Sequence, residues 1–350
     1  MIFQCVSPNT VTTELSIVII SFNTRMMTCA SLRSVFKETQ KYSFEVIVVD
    51  NASTDGSAEA IAREFPQVRL FACDENHGFA AANNMAVSQA RGSWILLLNP
   101  DTLVLDGAID RVLAFAKAHS EAAIFGGRTL FANGELNPTS CWGRPTLWSA
   151  FCRGIGLATI FKGSRLFDSE AIGGWARDSV REVDIVTGCF FIIRREHWDR
   201  LGGFDPMFFM YAEEADLCLR ANQQGMKCLI CPDAEIVHYG GASEKVYADK
   251  IIRLFRAKAQ LFVQHWNPWA ARFGVYTLDL WALSRMLVFG VIRFGRKSAA
   301  ESYRAWCDIW QGRSEWHVKP ASDGVSLERQ NRVPKLCSET GGRTETCSPR

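Results

Sequence analysis

The feature that most constrains the fold is a regular alternation of short apolar runs and amphipathic segments between residues 15 and 131. The runs are rich in Val, Ile and Leu and have the length of strands that are buried on both faces. They are LSIVIIS (15–21), FEVIVVD (44–50), VRLFA (68–72), WILLLNPD (94–101) and AIFGG (123–127). The segments between them repeat apolar residues at helical spacing. The alternation predicts an α/β fold with a mostly parallel central sheet flanked by helices.

The pattern becomes irregular after residue 131. Residues 132–182 are rich in Gly, Trp and Pro, and a segment of this length usually covers a binding site. A strand pattern returns in residues 183–195, and two short helices that end at Gly202 and Gly225 follow it. The runs KCLICP and EIVHYG then predict two more strands. We therefore predict a first domain over residues 1–244.

Residues 245–313 have a different character, with twelve Lys or Arg residues against four acidic residues and five interleaved Trp. Asp279, Arg285 and Arg293 interrupt the most apolar piece, residues 275–294, which falls short of an unbroken span of about 20 apolar residues. We expect a helix that lies at a membrane interface. Helices packed on the first domain, or a dimer contact, remain an alternative. Residues 314–350 are polar and predict a disordered tail.

Composition excludes several classes of protein. The 350 residues are 48% hydrophobic, and 39 basic and 37 acidic residues give a net charge of +2. We therefore predict a folded protein without a nucleic-acid partner. The twelve cysteines form no regular framework and the N-terminal sequence lacks signal-peptide features, which predicts reduced thiols and a cytoplasmic location. Cys228 and Cys231 lie in a predicted strand and point to opposite faces, so we interpret them as core residues.

Polar residues follow several of the predicted strands. In open α/β sheets, ligands bind beyond the carboxyl ends of the strands. Asp50 suits the imide N–H of a pyrimidine, and Asp101 suits Mg²⁺ or Mn²⁺, which prefer oxygen ligands. Asn76 and Gly78 open a helix whose free N–H groups favour anionic or polar ligands. The alternative for the Asn-Pro-Asp sequence that ends at Asp101 is a turn that caps the next helix.

A cluster of acids in MYAEEADLCLR (210–220) places three carboxylates within four residues. Such groups repel one another and raise the pKa of at least one member. We expect nearby cations to offset part of this repulsion, and the candidates are Arg194, Arg195 and Arg220. For Asp216, an ordinary surface pair with Arg220 four residues later is the alternative.

The motifs SIVIISFN, DNASTDGS, ENHGFAAANN, LLLNPD, GGFDPMFFMYAEEADLCLR and PDAEIVHYGG resemble, in this order, those of family 2 glycosyltransferases. The resemblance is greatest to the bacterial rhamnosyltransferase-like branch and covers residues 15 to about 243. It implies a GT-A fold, a nucleoside diphosphate sugar donor, a divalent cation and inversion at the anomeric carbon. Within residues 1–244, it implies a nucleotide-sugar half at about 14–131 and an acceptor half at about 132–244.

The resemblance also implies roles for individual residues. Asp101 and His238 match the metal ligands, and Glu213 and Glu214 match the pair that holds the catalytic base. Asp50 matches the residue that binds the base. Together with the strand-end positions, the residues expected at the donor are Ser21, Asn23, Asp50, Asn51, Asn76, Gly78 and Asn99, and those expected in the sugar and acceptor pocket are Phe204, Asp205 and Asp216. Two positions depart from the family pattern. Asn99 stands where the metal motif often has Asp, and Glu214 stands where Asp is usual, which lengthens the side chain by one methylene.

The sequence therefore predicts an inverting glycosyltransferase that uses Mg²⁺ or Mn²⁺. The expected donor is a dTDP- or UDP-sugar, such as one of L-rhamnose, and the expected acceptor is lipid-linked or a polysaccharide. Peripheral association with the inner face of the cell membrane follows from the basic, Trp-rich region. A nucleotidyltransferase is disfavoured because SFNTRMMTC contains no glycine. A catalytically degenerate sugar-binding relative remains an alternative because of the Glu214 departure.

Overall fold

The structure is a computed structural model that describes residues 13–240, 247–294 and 297–317. In it the predicted apolar runs form strands whose bounds differ by a few residues at most from the sequence prediction, except in the second half of the sheet. The strands are β1 (Leu15–Ser21), β2 (Phe44–Asp50), β3 (Arg69–Ala72), β4 (Trp94–Leu98), β5 (Thr102–Val104), β6 (Ala122–Leu130), β7 (Leu136–Asn137), β8 (Cys141–Trp142), β9 (Arg181–Val183), β10 (Ile185–Val186), β11 (Phe190–Arg194) and β12 (Lys227–His238).

The helices follow the amphipathic segments and also occupy the C-terminal region. They are α1 (Arg25–Glu38), α2 (Ser57–Glu64), α3 (Phe79–Gln89), α4 (Ala108–Ala118), α5 (Leu147–Ile155), α6 (Leu157–Ile160), α7 (Arg195–Leu201), α8 (Glu213–Gln223), α9 (Tyr247–His265), α10 (Pro268–Ile292) and α11 (Lys297–Gln311). As predicted, α7 ends at Gly202 and α8 ends just before Gly225, and both glycines have positive φ angles that favour glycine.

Ten strands form one sheet, whose main path runs β3-β2-β1-β4-β11-β6-β12-β5. β1, β2, β3 and β4 pair in parallel, and so do β6 and β12. β11 is antiparallel to both β4 and β6, and β5 is antiparallel to β12. The sheet is therefore mixed, and two predicted strands merge into the single twelve-residue β12. This order brings the ends of β1, β2 and β4 to the same edge as His238.

Apolar side chains fill both faces of the sheet, because successive residues of a strand point to opposite sides. In β1, Val18 and Ile20 belong to one core, and Ile17 and Ile19 belong to the other. Cys228 and Cys231 are divided between the two cores in the same way, which agrees with the prediction that they are core residues. Eight described cysteines are free thiols, whereas Cys73 is disulfide-bonded, contrary to the expectation that all are reduced.

The C-terminal helices α9, α10 and α11 form a third core around Phe255, Leu278 and Trp306. Trp316 is fully buried in this core, so the ordered chain extends past the predicted start of the tail at residue 314. Residues 318–350 and the predicted domain boundary at 244 lie outside the described residues. Among the described helices, α10 alone is long and apolar enough to cross a membrane, and 22% of its most apolar window is buried.

Candidate active site

A cleft of about 300 Å³ lies at the carboxyl edge of the sheet, between the ends of β1, β2 and β4 and the start of α8. Aromatic side chains of Phe22, Phe79 and Tyr211 line part of it. The structure brings together in this cleft seven residues that the sequence singled out, namely Asn51, Asn76, Asn99, Asp101, Glu213, Glu214 and His238. Their convergence follows from the sheet order. Strand β5 begins directly after the Asn-Pro-Asp turn, and β12 pairs with β5, which brings His238 close to Asp101.

Asp101 and His238 face each other across this turn. The Nε2 atom of His238 lies 3.4 Å from Oδ1 of Asp101, and the backbone N–H of Tyr239 donates to the Asp101 carbonyl at 3.1 Å. The amide of Asn99 also lies 3.4 Å from Nε2 of His238. The β5–β12 register, which pairs Thr102 with His238, fixes the positions of these side chains.

The three side chains form a donor set that fits a divalent cation. Oδ1 of Asn99 and Nδ1 of His238 are buried without a hydrogen-bond partner. Burial lowers the pKa of His238, but Cys189 and Asp101 offset this effect and raise the pKa to about 10, so a metal ion that binds His238 displaces its proton. No group of three His, Cys, Asp or Glu side chains forms a metal site within the described ranges. A small protein ligand set is typical of Mg²⁺ and Mn²⁺ sites that take their other oxygens from phosphate and water.

Glu213 and Glu214 occupy the first turn of α8. The two residues before them, Tyr211 and Ala212, have φ angles of 71° and 67°, a conformation that is strained for residues other than glycine. This turn directs both carboxylates into the cleft, where Oε2 of each is buried without a partner. Gly188 lies directly beside Glu214 in the cleft, since a Cβ there would make an ordinary contact with the Glu214 Cβ at 3.8 Å.

Burial raises the pKa of both glutamates, and the negative charge of Glu214 raises that of Glu213 further. The positive end of the α8 dipole offsets part of this effect. The predicted cationic partners act elsewhere, because Arg194 lies over the ring of Trp94 and Arg195 binds backbone carbonyls, including that of Gly92. We therefore correct the expectation that arginines neutralise Glu213.

Asp50 lies at the end of β2 and is 2% exposed. One carboxylate oxygen accepts the backbone N–H of Ser53 at 2.9 Å, and the other is buried without a partner. Burial raises the pKa of Asp50. A buried acceptor without a donor is unfavourable unless a ligand supplies one, which is what an imide N–H of a pyrimidine would do.

Four other predicted donor residues join neighbouring loops. Asn51 donates to Oδ1 of Asn76 at 2.9 Å, and Oδ1 of Asn51 accepts the N–H of His77 at 3.0 Å. Oδ1 of Asn23 accepts the N–H of Thr54 at 2.8 Å. The hydroxyl of Ser21 is buried and lies 3.2 Å from that of Thr28. These contacts hold the loops after β1, β2 and β3 together. Of the predicted donor residues, four do not line the cleft, namely Ser21, Asn23, Asp50 and Gly78.

The N-terminus of α3 differs from the prediction that its free N–H groups favour an anionic ligand. The N–H of Phe79 donates to the carbonyl of Phe209 at 2.7 Å, and Oδ1 of Asn76 accepts the N–H of Gly78. A Cβ at Gly78 would lie 2.5 Å from the Phe209 carbonyl oxygen. Gly78 therefore allows a close approach of the 204–209 loop rather than a ligand.

Phe204, Asp205 and Asp216 do not line the cleft, contrary to the predicted sugar and acceptor pocket. Phe204 and Asp205 line a separate cavity beside α7. The carboxylate of Asp216 is fully buried and binds Arg220 at 2.7 Å and His265 of α9 at 2.9 Å. The pairing of Asp216 with Arg220 is as predicted, but it is internal rather than at the surface.

One charged cleft residue was not predicted from the sequence. Lys250, in the first turn of α9, lines the cleft together with His238 and Gly240. Among the described residues that line the cleft, Lys250 is the only Lys or Arg. Its sequence position offers no signal, because it follows the last strand-end motif by about one dozen residues and lies in a helix that the sequence places outside the first domain.

The chain is similar to several known proteins. The family model described as Glycosyl transferase family 2 matches residues 16–173. An N-acetylglucosaminyl-diphospho-decaprenol L-rhamnosyltransferase of Mycobacterium tuberculosis is 27% identical over 212 residues, which are 55% of this chain and 66% of that protein. The rhamnosyltransferase WbbL of Escherichia coli is 28% identical over 51% of this chain and 66% of its own length. The chain thus spans slightly less than two thirds of these relatives.

The structure is similar to that of a mannosyltransferase from Pyrobaculum calidifontis, solved in complex with GDP-Man and Mn²⁺. The TM-score is 0.55, the sequence identity is 18%, and the match covers 88% of each chain. This likeness concerns the fold, and it confirms the predicted GT-A architecture with a C-terminal helical region.

Proposed function

Residues 16–173 carry a family 2 glycosyl transferase domain, and on this premise we propose that the chain transfers a sugar from a nucleoside diphosphate sugar to an acceptor hydroxyl, with inversion. The observation that carries the proposal is the convergence of two pairs in one cleft, Asp101 with His238 and Glu213 with Glu214. The first pair suits the diphosphate side of the donor, and the second suits the removal of a proton from the acceptor.

The donor would be held along the edge of the sheet. Asp50, with its unpartnered oxygen, would bind the base, and Asn99, Asp101 and His238 would hold the divalent cation. A bound Mg²⁺ or Mn²⁺ would neutralise charge on the leaving diphosphate. Lys250, which lines the same cleft, would bind the same diphosphate. The names of the relatives support an L-rhamnosyl group, and we propose a dTDP- or UDP-sugar as the donor.

Glu214 would act as the general base. Its raised pKa makes it a stronger base than an exposed carboxylate, and it lines the cleft with an Oε2 atom that has no hydrogen-bond partner. A diphosphate leaves without taking up a proton, so one base is sufficient, unlike the pair of carboxylates that glycoside hydrolysis needs. A single displacement on the face opposite the diphosphate inverts the anomeric carbon.

The acceptor would be a lipid-linked saccharide or a polysaccharide, in agreement with the diphospho-decaprenol that is named for the mycobacterial relative. A lipid-linked acceptor requires the cleft to work close to a membrane, and we propose its inner face. A catalytically degenerate sugar-nucleotide-binding protein is the second candidate, and the observation that favours it is the Glu at position 214.

The test is a panel of nucleoside diphosphate sugars incubated with the purified full chain and Mn²⁺ or Mg²⁺. We expect one donor to raise the melting temperature and to release its nucleoside diphosphate when membranes or polyprenyl-linked saccharides are added. Binding without release in the presence of every acceptor would favour the degenerate alternative. If no donor binds, the proposed function is wrong.

A further inference from the structure

An apolar stripe runs along the whole of α10. Its seven residues are spaced three or four positions apart and therefore share one face of the helix. They are Trp269, Phe273, Tyr276, Leu280, Leu283, Leu287 and Val291. Four of them are more than half exposed, with values of 64% for Trp269, 65% for Tyr276, 58% for Leu287 and 74% for Val291. At about 1.5 Å per residue, the stripe is about 35 Å long.

A second segment lies beside α10 and adds further exposed apolar residues to the stripe. The end of α5, α6 and the loop after it expose Ile160, Phe161 and Leu166, which are 73%, 47% and 59% accessible. The hydroxyl of Ser284 donates to the carbonyl of Gly154 at 2.9 Å, so this segment lies against α10. We call the stripe together with these three residues the docking surface. It is far larger than the scattered apolar residues of an ordinary protein surface.

The two segments also meet at the other end of α10. Trp148 and Phe151 of α5 line an apolar cavity with Trp269 and Phe273. Trp148 is 45% exposed, so the apolar surface continues from one segment to the other. The contacts at both ends make the docking surface one continuous face.

The opposite face of α10 packs inside the protein. Ala270, Gly274, Leu278 and Ala282 are buried, and Leu278 and Ala282 belong to the C-terminal core. On α10, Asp279 accepts the indole N–H of Trp316 at 2.9 Å. A helix that spans a bilayer would carry this packed face and its polar contacts into the hydrocarbon. The packing therefore favours a helix that lies in the plane of the membrane.

Basic residues surround the docking surface. Lys162, Arg165, Arg272, Arg293 and Lys297 are all exposed. The described residues from 247 to 317 contain ten Lys or Arg against five Asp or Glu. This charge complements the anionic headgroups of a membrane, while Trp and Tyr side chains suit its interface. A second copy of the chain would instead bring the same cations face to face, since a two-fold interface pairs each patch with itself.

We infer that the docking surface inserts into one leaflet of an anionic membrane, with α10 parallel to the bilayer plane. The inference deepens the proposed membrane location and names the surface that achieves it. It does not depend on catalysis, because none of its residues lines the cleft. Placed in this way, α10 holds the catalytic domain at the level where a lipid-linked acceptor presents its saccharide.

The test is co-sedimentation of the full chain with phosphatidylcholine vesicles that do or do not contain phosphatidylglycerol. The variant is Leu287→Glu combined with Val291→Glu, both exposed on the stripe. The matched control is Phe131→Glu combined with Val180→Glu, which are 43% and 51% exposed and lie outside the docking surface. Circular dichroism and the melting temperature verify that each variant folds.

We expect the chain to bind anionic vesicles, 1 M salt to weaken the binding, and the stripe variant to bind at least about tenfold more weakly, because charged residues enter the interface poorly. The control should bind like the wild type. Equal binding by both variants would overturn the inference. Resistance of the wild type to alkaline carbonate extraction would show a spanning helix instead.

Analytical ultracentrifugation without lipid tests whether a second copy of the chain covers the docking surface instead of a membrane. A wild-type dimer that the stripe variant converts into a monomer would assign the surface to self-association and overturn the inference. Donor binding by the same preparations separates the two proposals. The chain could bind vesicles through the stripe and yet bind no nucleotide sugar. That result would contradict the proposed function and support the docking surface.

Discussion

Glu213 and Glu214 show how a strained turn can place two carboxylates in one cleft. The left-handed conformations of Tyr211 and Ala212 turn the chain so that the first residues of α8 face the cleft. Burial raises the pKa of both carboxyls, and the helix dipole limits the rise. The two groups share one environment, so they titrate as a pair. The pair holds a proton to a higher pH than isolated carboxyls do.

Glu214→Gln tests the assignment of the base. We expect transfer to fall about a hundredfold or more, because general-base catalysis contributes about 10²- to 10⁴-fold, while donor affinity changes little. Initial rates of diphosphate release and calorimetric donor binding measure the two effects separately. Glu196→Gln is the control, since Glu196 is exposed on α7. An unchanged rate in Glu214→Gln would exclude this residue as the base.

Lys250→Met tests the contact with the diphosphate. Removing the charge should weaken the binding of the nucleoside diphosphate by about tenfold to a hundredfold, because a hydrogen bond to a charged group contributes about 1.5–3 kcal/mol. Binding of the nucleoside without phosphates should not change. Arg256→Gln is the matched control, since Arg256 lies on the same helix and pairs with Glu315 at 3.8 Å. Equal diphosphate affinity in the two variants would refute the role of Lys250.

Residues at strand ends could be located from the sequence because apolar runs have clear limits and parallel strands end at one edge. Asn51, Asn76, Asn99 and Asp101 are examples. Lys250 could not be found in this way, because its place in the cleft depends on how α9 packs after the sheet is complete. Phe204 and Asp205 were misplaced because adjacency to the acidic motif in the sequence does not imply that they line the same cavity.

At the scale of elements, the direction of β11 was not evident from the sequence. A buried strand has the same apolar pattern whether its neighbours are parallel or antiparallel. The contact between α3 and the 204–209 loop was equally hidden, because a glycine at a helix start is compatible with a ligand or with a neighbouring backbone. In the structure a neighbouring backbone occupies this position, since the N–H of Phe79 donates a hydrogen bond to the carbonyl of Phe209.

Gly78→Ala tests this contact between elements. Gly78 and Gly134 have φ angles of 80° and 81°, which favour glycine at both positions, and the ψ angle of 173° at Gly78 adds backbone strain for alanine there. A Cβ at Gly78 would also collide with Phe209, whereas none of the described atoms lies within 4 Å at Gly134. We expect Gly78→Ala to lose about 1–3 kcal/mol more unfolding free energy than Gly134→Ala. Urea denaturation measures both, and equal losses would show that the close approach is not required.

At the scale of the whole molecule, a buried ionic network joins the C-terminal helices to the loop region between β8 and β9. Glu170 lies 3.3 Å from Lys258 of α9 and 3.3 Å from Arg153 of α5, and it accepts the Ser149 hydroxyl at 2.7 Å. Burial opposes the charge of Glu170, but the two cations and Ser149 lower its pKa to about 2. Burial also lowers the pKa of Lys258, and Glu170 offsets only part of this effect. The network therefore stabilises the charged form of Glu170 more than the charged form of Lys258.

Glu170→Gln should destabilise the chain at neutral pH by about 3 kcal/mol, because it leaves buried cations without their partner. The pKa is lowered on folding, so the stabilisation is complete above about pH 4.5 and is lost as the pH falls towards 2. The variant should lack this part of the pH dependence. Glu182→Gln, in an exposed pair with Lys227, should cost at most about 1 kcal/mol. Urea denaturation at several pH values measures both, and a pH profile like that of the wild type would contradict the expectation.

The long strand β12 has a consequence for how such enzymes diversify. It is anchored to β6 along most of its length and to β5 at its end, so the position of His238 is set by main-chain pairing alone. The segment between β8 and β9 contributes nothing to that pairing. Insertions and substitutions in that segment can therefore accumulate while main-chain pairing keeps His238 beside Asp101.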